Sequence, residues 1–257
     1  MRRRNPLFAA FLKVTPADIV LVQEPWFGWI NTRRSDTDLL GTEVLGTLRN
    51  DEWEVYLPKH QGPDVCKVAC YVRRTLAESP DVCIVPLPDH EIANLNTQIL
   101  ECSISGNVLC LINVHHCVPK TKGHALHHLF SHPLDFTLPT YVVGDFNTHS
   151  STWSFPRTTV LSWEAPLEEW FKDSDLTLAN PAGLATRWGT RVPGKVERNS
   201  VLDLALLNDS AIASGCFSPL SISFDDSIGS DHAALHIFWY PPSHPNHTPH
   251  RFYLALF

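Results

Sequence analysis

The sequence predicts an α/β protein in which two β-sheets pack face to face with helices outside them. Three observations point there. Short apolar, β-branched runs outnumber the amphipathic helical stretches, and such runs suit strands covered on both faces. The runs fall into two families, as the two sheets of a sandwich require. Polar groups recur where a strand pattern begins, ends or is interrupted: Glu24, His115, Asp145, Asp203 and Asp231-His232.

The elements follow in order. Residues 1–14 read as a short helix, with Asn5 as N-cap and Pro6 at the first helical position. Three arginines ahead of an apolar run imitate a signal peptide. Lys13 cuts that run short, however, and no small-residue cleavage site follows. Thr15-Pro16 ends the helix. Asp18–Glu24 is a central strand that Pro25-Trp26 breaks, leaving Glu24 at its carboxyl end, where open α/β sheets place ligands. Residues 27–50 are turn-rich and polar, which predicts a surface excursion. Val65–Val72 is a strand bounded by Pro63 and Arg73-Arg74, and Ile92–Ser105 alternates well enough for one or two more.

Val108–Val114 is a buried strand ending in His115-His116-Cys117. Ala125, Leu126 and Leu129 share a face, so Lys122–Phe130 is predicted as a short helix. Tyr141-Val142-Val143 is a short buried strand. Gly144 after it lets the backbone turn or approach a ligand closely. Asp145 and Asn147 stand two apart, which in extended backbone puts both on one face. Ser162–Lys172 is a helix burying Leu167, Trp170 and Phe171. Asp173–Asn180 is a turn and short strand, and residues 181–199, rich in Gly, Pro, Arg and Thr, read as a functional loop. Ser200–Leu207, Ser218–Phe224 and His232–Tyr240 are the remaining strands. Residues 1–240 thus form one expected domain, and 241–257 a Pro/His-rich C-terminal tail.

Composition narrows the function. With 257 residues, 44% hydrophobic and 18% charged, the chain buries a core without disulfide staples. A net charge of −7 excludes a uniformly basic nucleic-acid-binding surface. It leaves room for a local strip from Arg33, Arg34, Arg73, Arg74, Arg187, Arg191, Lys195 and Arg198. Seven irregularly spaced cysteines predict reduced thiols in an intracellular protein. No run approaches the roughly 18 apolar residues of a membrane span, so no membrane partner is expected.

Two chemistries are weighed and set aside. His115, His116, Cys117, His124, His127 and His128 lie close together, and so do Cys66 and Cys70. None forms the Cys-x2-Cys or His-Glu-x-x-His spacing of a zinc site. There is no Gly-x-Ser-x-Gly elbow, and Ser230-Asp231-His232 is a sequential triplet rather than a spatial triad. The Asp145/Asn147 pair suits a hard cation, a water or a phosphate, although the same residues also form ordinary turns.

The ordered set is more informative than any one motif. Gln23-Glu24-Pro25-Trp26, Gly144-Asp145-Phe146-Asn147, Leu202-Asp203-Leu204 and Ser230-Asp231-His232 together resemble the endonuclease/exonuclease/phosphatase superfamily. His149, Trp153, Asn180-Pro181, Thr186 and the Ser200-to-Leu204 segment resemble the apurinic-like endonuclease domains of non-LTR retrotransposons. The resemblance runs over about residues 6–240. It implies a four-layered α/β sandwich of two mostly antiparallel or mixed sheets. It also implies Mg²⁺ (with Mn²⁺ as a substitute) and DNA nicking by an activated water. The setting implied is a monomer or a module of a larger retroelement polyprotein carrying a reverse transcriptase, and a nuclear location for work on chromosomal DNA.

By position, the resemblance makes Glu24 a metal ligand and Asp145 the group that orients or deprotonates the attacking water. Asn147 then holds water and phosphate, and His232 donates to a non-bridging oxygen. Asp203 bonds His232 and favours its charged form, and Asp231 supports the metal or His232. These roles agree with phosphoryl chemistry, which is mostly positioning and charge stabilisation. Two departures stand out. The family opens with a strand carrying an Asn, whereas this chain opens at the helix that follows, so that strand is expected to be missing and its sheet to carry an unpaired edge. Where the family often has Tyr, the slot holds His115, whose donation to phosphate depends on pH. Two alternatives stay open: a same-fold phosphatase or phosphodiesterase acting on a small phosphorylated molecule, and a catalytically impaired remnant.

Overall fold

The computed structural model describes residues 4–32, 42–59, 65–90, 93–116, 137–154, 164–189, 191–192, 195–196, 199–241 and 249–256. The strands are β1 (Ile19–Gln23), β2 (Phe27–Thr32), β3 (Thr42–Thr47), β4 (Trp53–Tyr56), β5 (Val68–Arg73), β6 (Val82–Pro86), β7 (Thr97–Ile104), β8 (Asn107–His115), β9 (Thr140–Asp145), β10 (Leu176–Leu178), β11 (Arg191–Val192), β12 (Lys195–Val196), β13 (Asp203–Asn208), β14 (Ser221–Ser223), β15 (Ala234–Trp239) and β16 (His250–Leu256). One six-stranded sheet runs β14-β15-β16-β1-β5-β4, and a second runs β10-β13-β9-β8-β7-β6. Both are mixed: β1 pairs β16 in parallel, β8 pairs β9 in parallel, and the other ladders of these two sheets are antiparallel.

Strand alternation sorts side chains into layers. Ile19 and Leu21 of β1, Cys70 and Val72 of β5, and Leu235 and Ile237 of β15 meet Leu109, Leu111, Tyr141, Val143 and Ala205 of the second sheet in one buried cluster. The alternate residues Val20, Val22, Ala69 and Tyr71 face outward onto Phe8 and Leu12 of the helix Arg4–Val14. Trp53 closes that layer, and its indole N–H donates to the Leu12 carbonyl at 2.9 Å, satisfying a group near the helix end. On the other side, Ile112, Val142, Leu204 and Leu206 pack on Leu167, Trp170 and Phe171 of the helix Glu164–Asp173. The order helix, sheet, sheet, helix is the four-layered sandwich expected from the resemblance.

The structure departs from the sequence reading in several places. Within residues 27–50, β2 and β3 pair over six residues as an antiparallel ladder instead of an irregular excursion. The predicted cap Asn5 lies inside the first helix, Arg4–Val14. β6, which the reading passed over, pairs β7 along its whole length. The predicted helix Lys122–Phe130 lies outside the described residues.

The largest correction concerns the C-terminal segment. Residues 250–256 of the expected tail form β16, in the middle of the first sheet between β15 and β1. Phe252 is fully buried and stacks on Trp239, ring centroids 6.5 Å apart. Asp18 fixes the start of the pairing: its N–H donates to the Arg251 carbonyl, and its carboxylate accepts from the Arg251 N–H, both at 3.0 Å. β1 therefore has a partner on each side, and the predicted unpaired edge is filled. The sequence carried the signal, because His-Arg-Phe-Tyr-Leu-Ala-Leu is rich in strand formers. The Pro/His-rich run before it concealed that signal.

Candidate active site

The inward face of each central strand reaches the same end of the sandwich with a polar residue. Ile19 and Leu21 face the inter-sheet core, so alternation puts Gln23 there too. Leu109 and Leu111 are followed on their face by Asn113 and His115, and Tyr141 and Val143 by Asp145. Asp203 stands opposite Asp145 in the β9–β13 ladder. The floor of the site is a polar clamp between the sheets. The buried Gln23 amide donates to Asn113 Oδ1, and Asn113 Nδ2 donates to the carbonyls of Val22 at 3.3 Å and Ala69 at 3.1 Å.

Gly144 is required where β9 meets β8. A Cβ there would sit 1.8 Å from the Val114 carbonyl oxygen. Beyond it, Asp145 is buried and its carboxylate is fully directed. Oδ1 accepts from the Asn147 backbone N–H at 2.8 Å, and Oδ2 accepts from Asn147 Nδ2 at 2.7 Å. The same Nδ2 also donates to the His116 carbonyl at 2.7 Å. Asn147 achieves this with φ of 47°, and Glu24 leaves β1 with φ of 48°. Left-handed backbone at non-glycine residues costs about 1–3 kcal/mol each and collects at functional sites. Burial, and then the nearby Asp203 carboxylate, push the Asp145 carboxyl well above the usual range.

Asp203 is wholly buried, and both its oxygens lie 3.0–3.1 Å from Nδ1 of His232. Its backbone is held as well, and Thr186 serves both backbone and carboxylate. Thr186 Oγ1 accepts from the Asp203 N–H at 3.0 Å, and Asn180 Nδ2 donates to the Asp203 carbonyl at 2.9 Å. Burial by itself would lower the His232 pKa. The Asp203 charge and hydrogen bond, helped by Asp145 and Asp231, outweigh it and hold the imidazole up at about 9. His232 is therefore charged at neutral pH, with Nδ1–H committed to Asp203 and Nε2–H left to donate.

His115 lies between two acids, with Nε2 at 3.6 Å from Glu24 Oε1 and Nδ1 at 3.8 Å from Asp145 Oδ2. Its Nδ1 is buried without a hydrogen-bond partner. Burial lowers its pKa to about 4 despite Glu24, so His115 is neutral at pH 7. Glu24 is partly exposed, and its Oε1 also accepts from Lys67 Nζ at 3.1 Å. Asp231 points elsewhere: its Oδ2 is 3.0 Å from Nε of Arg187.

Of the residues singled out from sequence, the structure thus gathers Asp145, Asn147, Asp203, His232, His115 and Glu24 around one strand end. Asp231 borders that group, and its carboxylate is taken by Arg187 rather than turned to a shared metal position. Trp153 is buried, its indole N–H donating to the Thr148 carbonyl at 3.2 Å and its ring 5.7 Å from that of Phe171, so it supports the helix layer. Of the proposed basic strip, Arg73 is bonded to the Thr15 and Ala17 carbonyls and Arg74 lies 3.5–3.6 Å from Glu54 and Glu78. Sequence reasoning missed Asn113, whose one signal was an amide interrupting an apolar run, and Lys67, which carried none.

Donor atoms of Asp145, Asp203 and His232 lie within 4.8 Å of one another, a possible acidic metal-binding cluster. The donor set fits a hard cation near Asp145. Two further carboxylates, Asp203 and Glu24, disfavour its ionised form, and a divalent cation relieves that repulsion. His232, charged and with Nδ1 bonded to Asp203, has no lone pair to offer a cation.

Fold and site together define a two-sheet α/β sandwich with acids, an amide and a charged imidazole at its strand ends, the framework of phosphodiesterases and nucleases. The chain belongs to the endonuclease/exonuclease/phosphatase family, whose family model matches residues 3–232. Members of this family hydrolyse phosphodiester bonds. Among solved structures, it is similar to the endonuclease domain of TRAS1, a telomere-specific non-LTR retrotransposon. That match has 17% identity and a TM-score of 0.61, covering 93% of this chain and 91% of the other. It is similar to the AP endonuclease LMAP from Leishmania major at 12% identity and TM-score 0.57, covering 95% and 84%. It is also similar to D. rerio TDP2 complexed with single-strand DNA product, at 14% identity and TM-score 0.51, covering 91% and 90%. Comparison with curated proteins finds no match. No helix among the described residues is long and apolar enough to cross a membrane.

Proposed function

We propose that this protein is a Mg²⁺-dependent endonuclease that nicks DNA with an activated water, in the manner of a retroelement nicking module acting on chromosomal DNA in the nucleus. The observation that carries the reading is the Asp203–His232 pair, set against a second buried carboxylate, Asp145. That arrangement holds a charged donor beside a carboxylate that burial and Asp203 make more basic than usual. Structural neighbours named as a retrotransposon endonuclease, an AP endonuclease and a DNA-bound TDP2 support the choice of DNA as substrate.

Each residue then has a task. Asp145, more basic than an ordinary carboxylate through burial and the nearby Asp203, takes the proton of the attacking water. Asn147 locks both of its oxygens, so the base does not swing away. The water oxygen bonds to phosphorus, the phosphorus–oxygen bond to one sugar breaks, and that sugar leaves as an alkoxide that takes a proton from solvent, to which Asp145 gives up the one it accepted. His232 Nε2–H donates to a non-bridging oxygen as negative charge grows there. Neutral His115 offers a hydrogen bond without adding charge. Arg187 holds Asp231 and so braces the His232 backbone. Glu24 and Asp145 are the residues that would hold the metal, which when bound supplies charge neutralisation for phosphate.

The test is relaxation of supercoiled plasmid with Mg²⁺, run beside Asp145→Ala and His232→Ala. Loss of about 10²–10⁴ in rate for each is expected. Equal nicking by all three proteins would expose a contaminant. Phosphate release from small phosphorylated molecules with intact plasmid would establish the small-substrate phosphatase instead. Neither activity in a folded protein would mark an impaired remnant.

A further inference from the structure

We infer that Trp188, seated on Phe224, is a stacking platform for one unstacked nucleobase of the substrate strand beside the reacting phosphate. The inference rests on the DNA reading above and adds a subsite to it. Large aromatic side chains are normally buried, yet Trp188 is 55% exposed. It is not loosely held. Its ring stacks on Phe224 with centroids 4.4 Å apart and planes 20° from parallel. Its backbone N–H donates to the Asp231 carbonyl at 2.8 Å, one residue before His232.

The backbone carrying it is part of the site's frame. Thr186 Oγ1 accepts from the Asp203 N–H, and the Thr186 carbonyl accepts from the Ala233 N–H at 2.7 Å. Arg187 is bridged to both Ser200 and His232 and is paired with the Asp231 carboxylate. Any strain that moves Trp188 therefore moves the support of the Asp203–His232 pair. An aromatic plane carried next to Arg187, which is bridged to His232, with one face filled by a second ring and the side chain otherwise exposed, has the geometry that base stacking uses. Stacking tolerates any base because every base has a π-face. It requires a base already out of the helical stack, so the occupant is a nucleobase in a frayed, single-stranded or kinked flank.

The probe is a duplex with a short single-stranded flank at the scissile phosphate. Binding is measured by fluorescence anisotropy in an Asp145→Asn background, which prevents turnover. Trp188→Ala is expected to weaken binding roughly ten-fold, within the range of one base–aromatic stack. Trp188→Phe, which keeps an aromatic face, is expected to recover most of it. A second probe with an abasic unit at the flanking position should bind the parent weakly and lose nothing further on Trp188→Ala. Unchanged affinity in Trp188→Ala overturns the inference, and so does a loss of equal size on the abasic probe. If the parent binds and wild type nicks plasmid while Trp188→Ala behaves as the parent, the platform alone has failed. If the parent binds no DNA and wild type nicks none, the nuclease reading has failed and the platform with it.

Discussion

Replacing Asp203 by Asn isolates what the buried carboxylate does to His232. The two side chains have nearly the same shape, and the backbone bonds to Thr186 and Asn180 do not involve the carboxylate. The fold should therefore survive. What disappears is the leading influence that holds the imidazole at about 9. Burial, which lowers the pKa, is left against the more distant Asp145 and Asp231. The midpoint should fall to the ordinary value near 6.5 or below, a loss of more than a hundred-fold in proton affinity. At pH 7.5 the wild-type imidazole is almost wholly charged, and the variant's is charged in at most about one molecule in ten. The assay is NMR titration of ¹³C-labelled histidine with EDTA present, paired with the pH profile of nicking. The alkaline limb of that profile, near 9 in wild type, should move down to about 6.5 or below, and the rate at pH 7.5 should drop at least about ten-fold. A wild-type His232 titrating near 6.5, or an Asn variant still titrating near 9, would refute the electrostatic argument.

The same pair makes stability depend on pH. A histidine whose folded pKa is raised contributes fully below its unfolded value and loses that contribution as pH rises through the folded one. Urea midpoints should therefore fall between pH 6.5 and about 9.5, by up to about 3 kcal/mol, and a flat profile would contradict the pairing. His115 has the opposite sign. Its folded value near 4 makes protonation oppose folding as pH drops below 6.5, so His115→Gln should lose less stability than wild type between pH 6.5 and 4. Gly144→Ala drives a Cβ to within 1.8 Å of the Val114 carbonyl, where only backbone can yield. A cost of about 3 kcal/mol or more is expected, and a melting temperature within about 2 °C of wild type would exclude the clash. Phe252→Ala removes a fully buried ring from β16 and should cost about 3–5 kcal/mol in urea unfolding. A cost under about 1 kcal/mol would mean that the C-terminal segment does not belong to the core.

The legible parts of this fold are those where local pattern and burial agree. β1, β8 and β9 are apolar runs covered on both sides and β15 buries its inner face, and the sequence places each within a residue or two. Pattern fails where burial is one-sided or the partner is distant. In β2 and β3, polar and glycine residues share the strands with Trp29, Ile30, Val44 and Leu45, so composition indicates a loop while the ladder between the two makes the strands. β16 fails for another reason. Its pairing with β1 spans more than two hundred residues, and its near partner β15 is cut off from it by the Pro/His-rich run. The preceding Pro/His-rich run looks like a tail whether or not a strand follows.

The site shows the same division between residue and relation. Glu24, Asp145, Asp203 and His232 were legible because each closes or interrupts an apolar run, where a charge has no structural reason to be. Which of them touch one another was not legible from local pattern; the family resemblance alone paired Asp203 with His232. Asp231 and His232 are adjacent in sequence and part company in space, one turned to Arg187 and the other to Asp203. The difference follows from β13: Asp203 stands on the inter-sheet face opposite Asp145, so only the side chain that enters the sandwich can reach it. His232, with about 15% of its side chain exposed, enters, while Asp231, with about 42% exposed, stays at the rim beside Arg187. The rim carboxylate, screened by solvent, only assists, whereas the one inside, bonded to the ring, does most to keep the imidazole charged well above its ordinary pKa. The charge on His232 therefore depends on the alternation that puts Asp203, and not Leu202 or Leu204, on the inward face.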